Sequence, residues 1–319
     1  MIGLTQVYAL AGFVFAGFAV LSLRDPTNPR RVRNALFWGL FALSFLAGDR
    51  LGDLGNGILV LVMALAAALG LGRSGSGAAD AEARAASAQA YGLRLFLPAL
   101  LIPLIVLAGS LGARHGGPAL AALVDPKQAT LVSLGVATLV IAVLSVRLFR
   151  QPVLSPLTEG LRLADTVGWM ALLPQMLAAL GAVFALAGVG GVVGETVTRV
   201  FPMDSRMAAV AVYCLGMAGF TVLMGNAFAA FPVMTAGVAL PVLVGRFGGD
   251  PAAVCAIGML SGFCGTLLTP LAANFNLAPA ALLDLDDRFA VIRAQVPTAL
   301  VLLAVNTVLM NVFAFPAHP

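Results

Sequence analysis

Residues 216–241 read GMAGFTVLMGNAFAAFPVMTAGVALP and residues 258–276 read GMLSGFCGTLLTPLAANFN, with a short polar turn at 246–251 between them. Both runs are apolar enough for a bilayer, yet each places helix breakers and amides where a plain span would carry leucine. The first has Gly225-Asn226 and Phe231-Pro232; the second has Gly262, Gly265, Thr266, Thr269-Pro270, Asn274 and Asn276. In hydrocarbon an unpaired backbone amide or carbonyl costs several kcal/mol, so non-helical backbone survives only inside protein or beside a water-filled cavity. Two interrupted apolar segments close in sequence point to a transporter binding site. The plainer reading is that Gly, Pro and Asn only kink helices and join hairpins, since Gly and Pro are common in membrane helices.

Composition sets the class around this stretch. Of 319 residues 61% are hydrophobic and 10% charged, with mean hydropathy +1.01, whereas a soluble domain carries about 25% charged residues. No segment alternates like a barrel strand, so the expected fold is an all-α polytopic membrane protein. The 18 basic residues fall in loops, which ties the basic balance to topology rather than to nucleic acid. Cys214, Cys255 and Cys264 lie in apolar runs without CxxC spacing and read as packing residues. His115 and His318 sit in a loop and the tail, so neither a metal site nor a histidine proton relay is expected. The first apolar run lacks a basic n-region and a small-residue cleavage site, and is expected to stay as a span.

Taken in order, one integral membrane domain over 1–319 is expected, with N-terminal helices (1–72), a cytoplasmic loop (73–94), middle helices (95–165) and a C-terminal bundle with broken helices (166–319). Span one is 1–23. Span two, Asn34–Gly48, has only 15 residues, about 22 Å as a helix, so it must thin the bilayer, extend into its flanks or pack in the bundle. Asp49, Arg50 and Asp53 precede span three, 54–72, and read as an interfacial cap, with an ion pair facing a cavity as the alternative. Spans at 95–113, 128–146 and 166–194 follow, and Gln175 in the last is expected to bond another helix. Residues 207–245 would make one helix of about 58 Å, so Gly225-Asn226 must join two spans or turn a re-entrant hairpin. A further interrupted run covers 251–283, and 296–315 closes a set of about ten crossings. With the N-terminus outside, cytoplasmic loops hold 4+3+3+2 = 12 basic residues against six outside, as the positive-inside rule favours. A faint echo links Gly216–Thr221 with Gly258–Phe263, of the weak kind that inverted-repeat transporters show.

The runs 207–245 and 251–283 contain no Asp, Glu, Lys, Arg or His, which leaves no carboxylate proton relay and no cationic anchor there. What remains is amides, hydroxyls and exposed backbone. Asn226, Asn274 and Asn276, with Gly225 and Gly265 to open the backbone, are the candidate substrate-binding residues, because an asparagine offers both donor and acceptor. Helix N-termini suit a carboxylate, and hydroxyls with helix C-termini suit Na⁺. Thr266, Thr269 and Ser261 are therefore the candidate sodium contacts; no catalytic or metal residue and no cofactor beyond a coupling sodium ion is expected.

Gly225–Val233, Leu260–Thr266 and Pro270–Asn276 resemble the larger subunit of the proposed bacterial 5-oxoproline (pyroglutamate) transporter, a family formerly described as a domain of unknown function. Asn34–Gly39, Gly48-Asp49-Arg50, Val124–Thr130 and Ala294–Ala299 carry the same resemblance, which covers nearly the whole chain. It implies a multi-pass protein of the bacterial inner (plasma) membrane, a smaller membrane subunit as partner, and a link to 5-oxoproline. The broken helices also look like those of the ion-transporter superfamily at the level of fold. The competing classes are a non-transporting structural subunit and an intramembrane enzyme. The enzyme lacks a nucleophile–base pair, since the cysteines and serines have no His or carboxylate in the same apolar segments.

Overall fold

The computed structural model describes residues 3–72, 81–115, 125, 127–201 and 203–315. Among the described residues the regular elements are all helices, and eight are long and apolar enough to cross a membrane, with Pro251–Thr266 a shorter apolar helix. The protein is an all-α polytopic membrane protein. Its chain forms two compact units, Met1–Gly168 and Trp169–Pro319.

The first unit holds α1 (Leu4–Arg24), α2 (Arg31–Ala68), α3 (Ala81–Tyr91), α4 (Leu97–His115), α5 (Ala129–Leu148) and α6 (Ser155–Val167). α2 supplies two of the expected crossings, which takes the eight long helices to nine. Its 38 residues would reach about 57 Å if straight. Instead, the Asn34 amide donates to Gly72 O and accepts from Gly72 N, each at 2.8 Å. The helix must fold back on itself, and it does so at Gly52, whose φ of 62° and ψ of −178° leave the helical region. Arg30 and Arg33 tie the same end by donating to the carbonyls of Leu71 and Leu69. Spans two and three are the two arms, and the first begins at Arg31, so the short span extends into its flank. Asn56 caps the bend by donating to Gly48 O at 2.8 Å.

An aromatic cluster binds α1 to α2. Phe15 stacks on Trp38 at 5.7 Å and on Phe45 at 5.5 Å, and Phe18, Phe37 and Phe41 close around them. The Trp38 indole N–H donates to Asp165 of α6 at 2.8 Å, which gives this buried apolar cluster a directional bond. The loop expected at 73–94 contains α3 and a 3-10 turn (Gly92–Phe96); 73–80 lie outside the described residues, as do Val124, Pro126 and His318.

The second unit holds α7 (Leu173–Leu186), α8 (Val189–Val200), α9 (Arg206–Met224), α10 (Ala227–Met234), α11 (Pro251–Thr266), α12 (Ala273–Leu282) and α13 (Ala290–Phe313). The expected sixth span, 166–194, lies mostly within a longer apolar helical stretch, Ser155–Leu186, that turns at Gly168 (φ 56°), while Gly188 (φ 68°) starts a separate helix. α10 continues as a π-helix over Thr235–Arg246. Pro241 there lacks an N–H and would clash with the carbonyl four residues back in an α-helix; the wider winding relieves that clash. The glycine-rich edge Gly188–Gly194 packs within this unit. Gly190 and Gly194 are buried, and Gly194 lies backbone to backbone on Gly237 of the π segment.

Candidate functional site

The two broken stretches meet in the second unit. Ser205 caps α9 by accepting from Ala208 N at 3.2 Å, and after Arg206 the helix runs without a charge to Gly225. Gly225 takes φ 74° and donates to Thr221 O at 2.7 Å; a Cβ there would stand 2.7 Å from Leu271 O. Only glycine tolerates both demands. Asn226 is extended, and its Oδ1 accepts from Phe228 N at 2.7 Å, so it is the N-cap of α10. α9 and the α10–π helix are each long enough to cross a bilayer, so 207–245 is built as two full arms rather than a short re-entrant loop.

α11 opens on Asp250, whose Oδ1 accepts from Ala253 N at 2.7 Å, and closes at Thr266. Residues 267–272 are non-helical before α12 begins. Asn276 spans this gap: its Nδ2 donates to Thr266 O and to Thr269 O, both at 2.7 Å. Thr269 Oγ1 adds a bond from Leu271 N at 3.2 Å. The backbone freed by the break is thereby satisfied from within the protein, as an apolar surrounding demands.

α9 and α11 run in the same direction. Tyr213 lies against Gly258, Met217 against Gly262 and Ala218 against Gly265, and beyond the helix ends Gly225 lies against Leu271. Three glycines on α11 let α9 approach closely enough for the two breaks to share one level. The echo between Gly216–Thr221 and Gly258–Phe263 therefore joins parallel helices, and an inverted repeat would set them opposite. At the shared level the C-terminal ends of α9 and α11 lie beside the starts of α10 and α12. Partial negative and partial positive helix charge are thus presented together. α12 starts with no side-chain cap.

Of the residues singled out in the sequence, Gly225 and Gly265 make the close approaches. Asn226 and Asn276 use their amides as caps, although Asn276 Oδ1, with the residue 0% exposed, has no partner among the described residues. Asn274 Oδ1 is also buried without a partner. The hydroxyls of Ser261 and Thr266 donate within their own helix, to Ile257 O at 3.0 Å and Phe263 O at 2.6 Å. Sequence reasoning did not separate Thr221 from the other hydroxyls: it is fully buried beside Gly262 and Gly265, and its Oγ1 has no partner. Tyr213 and Thr235 bury their hydroxyls facing each other on α9 and the π segment. Asn306 of α13 was missed too; its Nδ2 reaches Cys264 Sγ at 3.6 Å. The arrangement offers uncharged acceptors and helix ends, suited to a small polar solute or a monovalent cation. Among the described residues no group of three His, Cys, Asp or Glu side chains stands close enough to hold a metal ion.

With this geometry in view, comparison with known proteins gives one match. The family model described as "Protein of unknown function (DUF979)" matches residues 5–315, so the chain belongs to that family. No curated protein and no solved structure matches it.

Proposed function

We propose that this member of the DUF979 family is a membrane subunit of a secondary transporter for a small carboxylate- or amide-bearing solute. 5-Oxoproline is the first solute to test, because the sequence resemblance singles it out. Sodium is the proposed coupling ion, a smaller membrane subunit the proposed partner, and the bacterial inner membrane the proposed location. One observation carries the reading: two helix breaks meet at one level, where Thr221 Oγ1 and Asn276 Oδ1 are buried without partners. A buried polar group without a partner costs about 1–3 kcal/mol, which a bound solute or ion offsets. The ring amide of 5-oxoproline supplies an N–H donor to these oxygens, and its carboxylate suits the starts of α10 and α12. The capping roles of Asn226 and Asn276 favour a second reading, a structural subunit whose broken helices only brace the bundle.

Uptake of radiolabelled 5-oxoproline into proteoliposomes, with and without sodium and the partner subunit, separates the two readings. Binding of the solute to the purified chain, read by calorimetry, completes the test. The transporter reading expects Thr221→Val to fold at least as well as the parent and to bind solute or sodium about 5- to 150-fold more weakly. Unchanged binding of both in a well-folded Thr221→Val protein would remove the site's support. An absence of uptake under every condition would favour the structural subunit.

A further inference from the structure

The first unit gathers most of its arginines at one end, beside a groove that the transport reading does not use. α1 and α5 run in the same direction, since Val7 lies against Gly135 and the later Leu10 and Val14 share a hollow with Leu139, Ala142 and Val143, while Gly17 lies against Leu157 of α6. Leu10 and Val14 of α1 and Leu139, Ala142 and Val143 of α5 wall a groove of about 470 Å³, with Arg147 on its rim. A second hollow of about 360 Å³ shares Ala142, Val146 and Pro156 with the first, so the two flank the last turns of α5.

We propose that this groove holds one anionic glycerophospholipid, with an acyl chain along the apolar wall and the phosphate on Arg147 and Arg150. Charge decides the occupant. Arg147 is the only charged residue lining the larger groove, and neither arginine makes an ion pair among the described residues. Glu159 on the second hollow is already held by Arg162 at 2.7 Å. An arginine in the last turn suits the helix dipole, which accounts for Arg147 but not for Arg150. Arg150 sits at φ 52° just past the end of α5, where Gln151 N bonds Val146 O at 3.0 Å. That closing turn normally takes glycine, so the backbone carries strain to keep a guanidinium there. Val153 and Leu154 follow at 82% and 57% exposure, which sets this loop at the boundary between headgroups and acyl chains. A basic pocket between membrane helices is the form that anionic headgroups recognise.

The test uses the purified full chain in lipid-depleted detergent, titrated with phosphatidylglycerol or phosphatidylcholine of matched chains. Bound lipid is counted by native mass spectrometry and the melting midpoint is recorded. Phosphatidylglycerol is expected to bind at least fivefold more tightly at low salt, with the preference shrinking as salt rises. Arg147→Gln and Arg150→Gly each weaken it about fivefold, while Arg150→Gly raises the midpoint of the lipid-free protein. Ala142→Leu, which fills the groove, weakens both lipids. Equal retention of the two lipids overturns the proposal, as does an undiminished preference in the double arginine variant. Stabilisation by inorganic phosphate alone equal to that by phosphatidylglycerol, or cross-linking of Val143→Cys to a co-expressed polypeptide in place of lipid, overturns it too.

Discussion

Asn276 does two things with one amide. Its nitrogen closes the gap after α11 by bonding Thr266 O and Thr269 O, and its oxygen is left buried without a partner. Asn276→Ala strips two buried carbonyls of their donor, at about 1–3 kcal/mol each, so a large fall in the melting midpoint is expected. Retention of the parent midpoint would show that the gap is braced by other groups. Gly225→Ala should also destabilise, by more than about 1 kcal/mol, because it adds left-handed strain to a contact with Leu271 O; denaturation of the purified variant measures it. The sequence shows why both residues stand out, as an amide and a glycine in hydrocarbon. It does not show whether such an amide meets backbone or ligand, because that depends on where 267–272 leave the helix. Thr221 was still harder to read. A helical threonine ordinarily donates to the carbonyl four residues back, as Thr138, Thr166, Thr196 and Thr307 do here. Nothing in the sequence marks Thr221 as a threonine that makes no such bond among the described residues.

Hydropathy reads run lengths, and run lengths recover elements only where breaks carry charge. The hairpin of α2 is legible because Asp49, Arg50 and Asp53 mark its bend and 38 residues are too many for one crossing. The pieces of the expected sixth span are not, because Gly168 and Gly188 turn left-handed inside an apolar run rich in other glycines. The π winding of Thr235–Arg246 gave no composition signal beyond Pro241. The crossing of α8 on that segment is where element packing can be tested. Gly194 meets Gly237 backbone on backbone, whereas Gly191 on the opposite face meets nothing within 4 Å. Gly194→Leu should lower stability by about 1–3 kcal/mol or prevent folding, and Gly191→Leu should stay within about 0.5 kcal/mol of the parent. Thermal melts of both proteins decide it; equal effects would mean that the crossing tolerates a side chain.

At the scale of the molecule, the first unit turns the positive-inside count into geometry. Arg30 and Arg33 bond the far end of α2, placing residues 30–33 and 69–72 at one end. Tyr91 packs on Phe149 with ring centroids 5.0 Å apart, which brings Arg94 beside the end of α5. Leu21, Arg24 and Thr27 line a common hollow with Thr158 and Leu161, which brings the end of α1 to α6. The parallel course of α1 and α5 then joins these contacts, so Arg24, Arg30, Arg31, Arg33, Arg94, Arg147, Arg150 and Arg162 occupy one end. Arg50 stands at the other, at the bend of α2. Eight basic residues stand there against three at the other end (Arg50, Arg114 and Lys127), the bias that the positive-inside rule associates with a cytoplasmic end. Cysteines introduced at Thr27, Ser87 and Asp53, all exposed, test this in whole cells with an impermeant thiol reagent. The native Cys214 and Cys264 are buried and Cys255 lies within α11, so they give little background. Asp53→Cys should label, while Thr27→Cys and Ser87→Cys should label only after the cells are opened. The reverse pattern would invert the unit in the membrane, and labelling at both ends would mean that the α2 hairpin does not cross it.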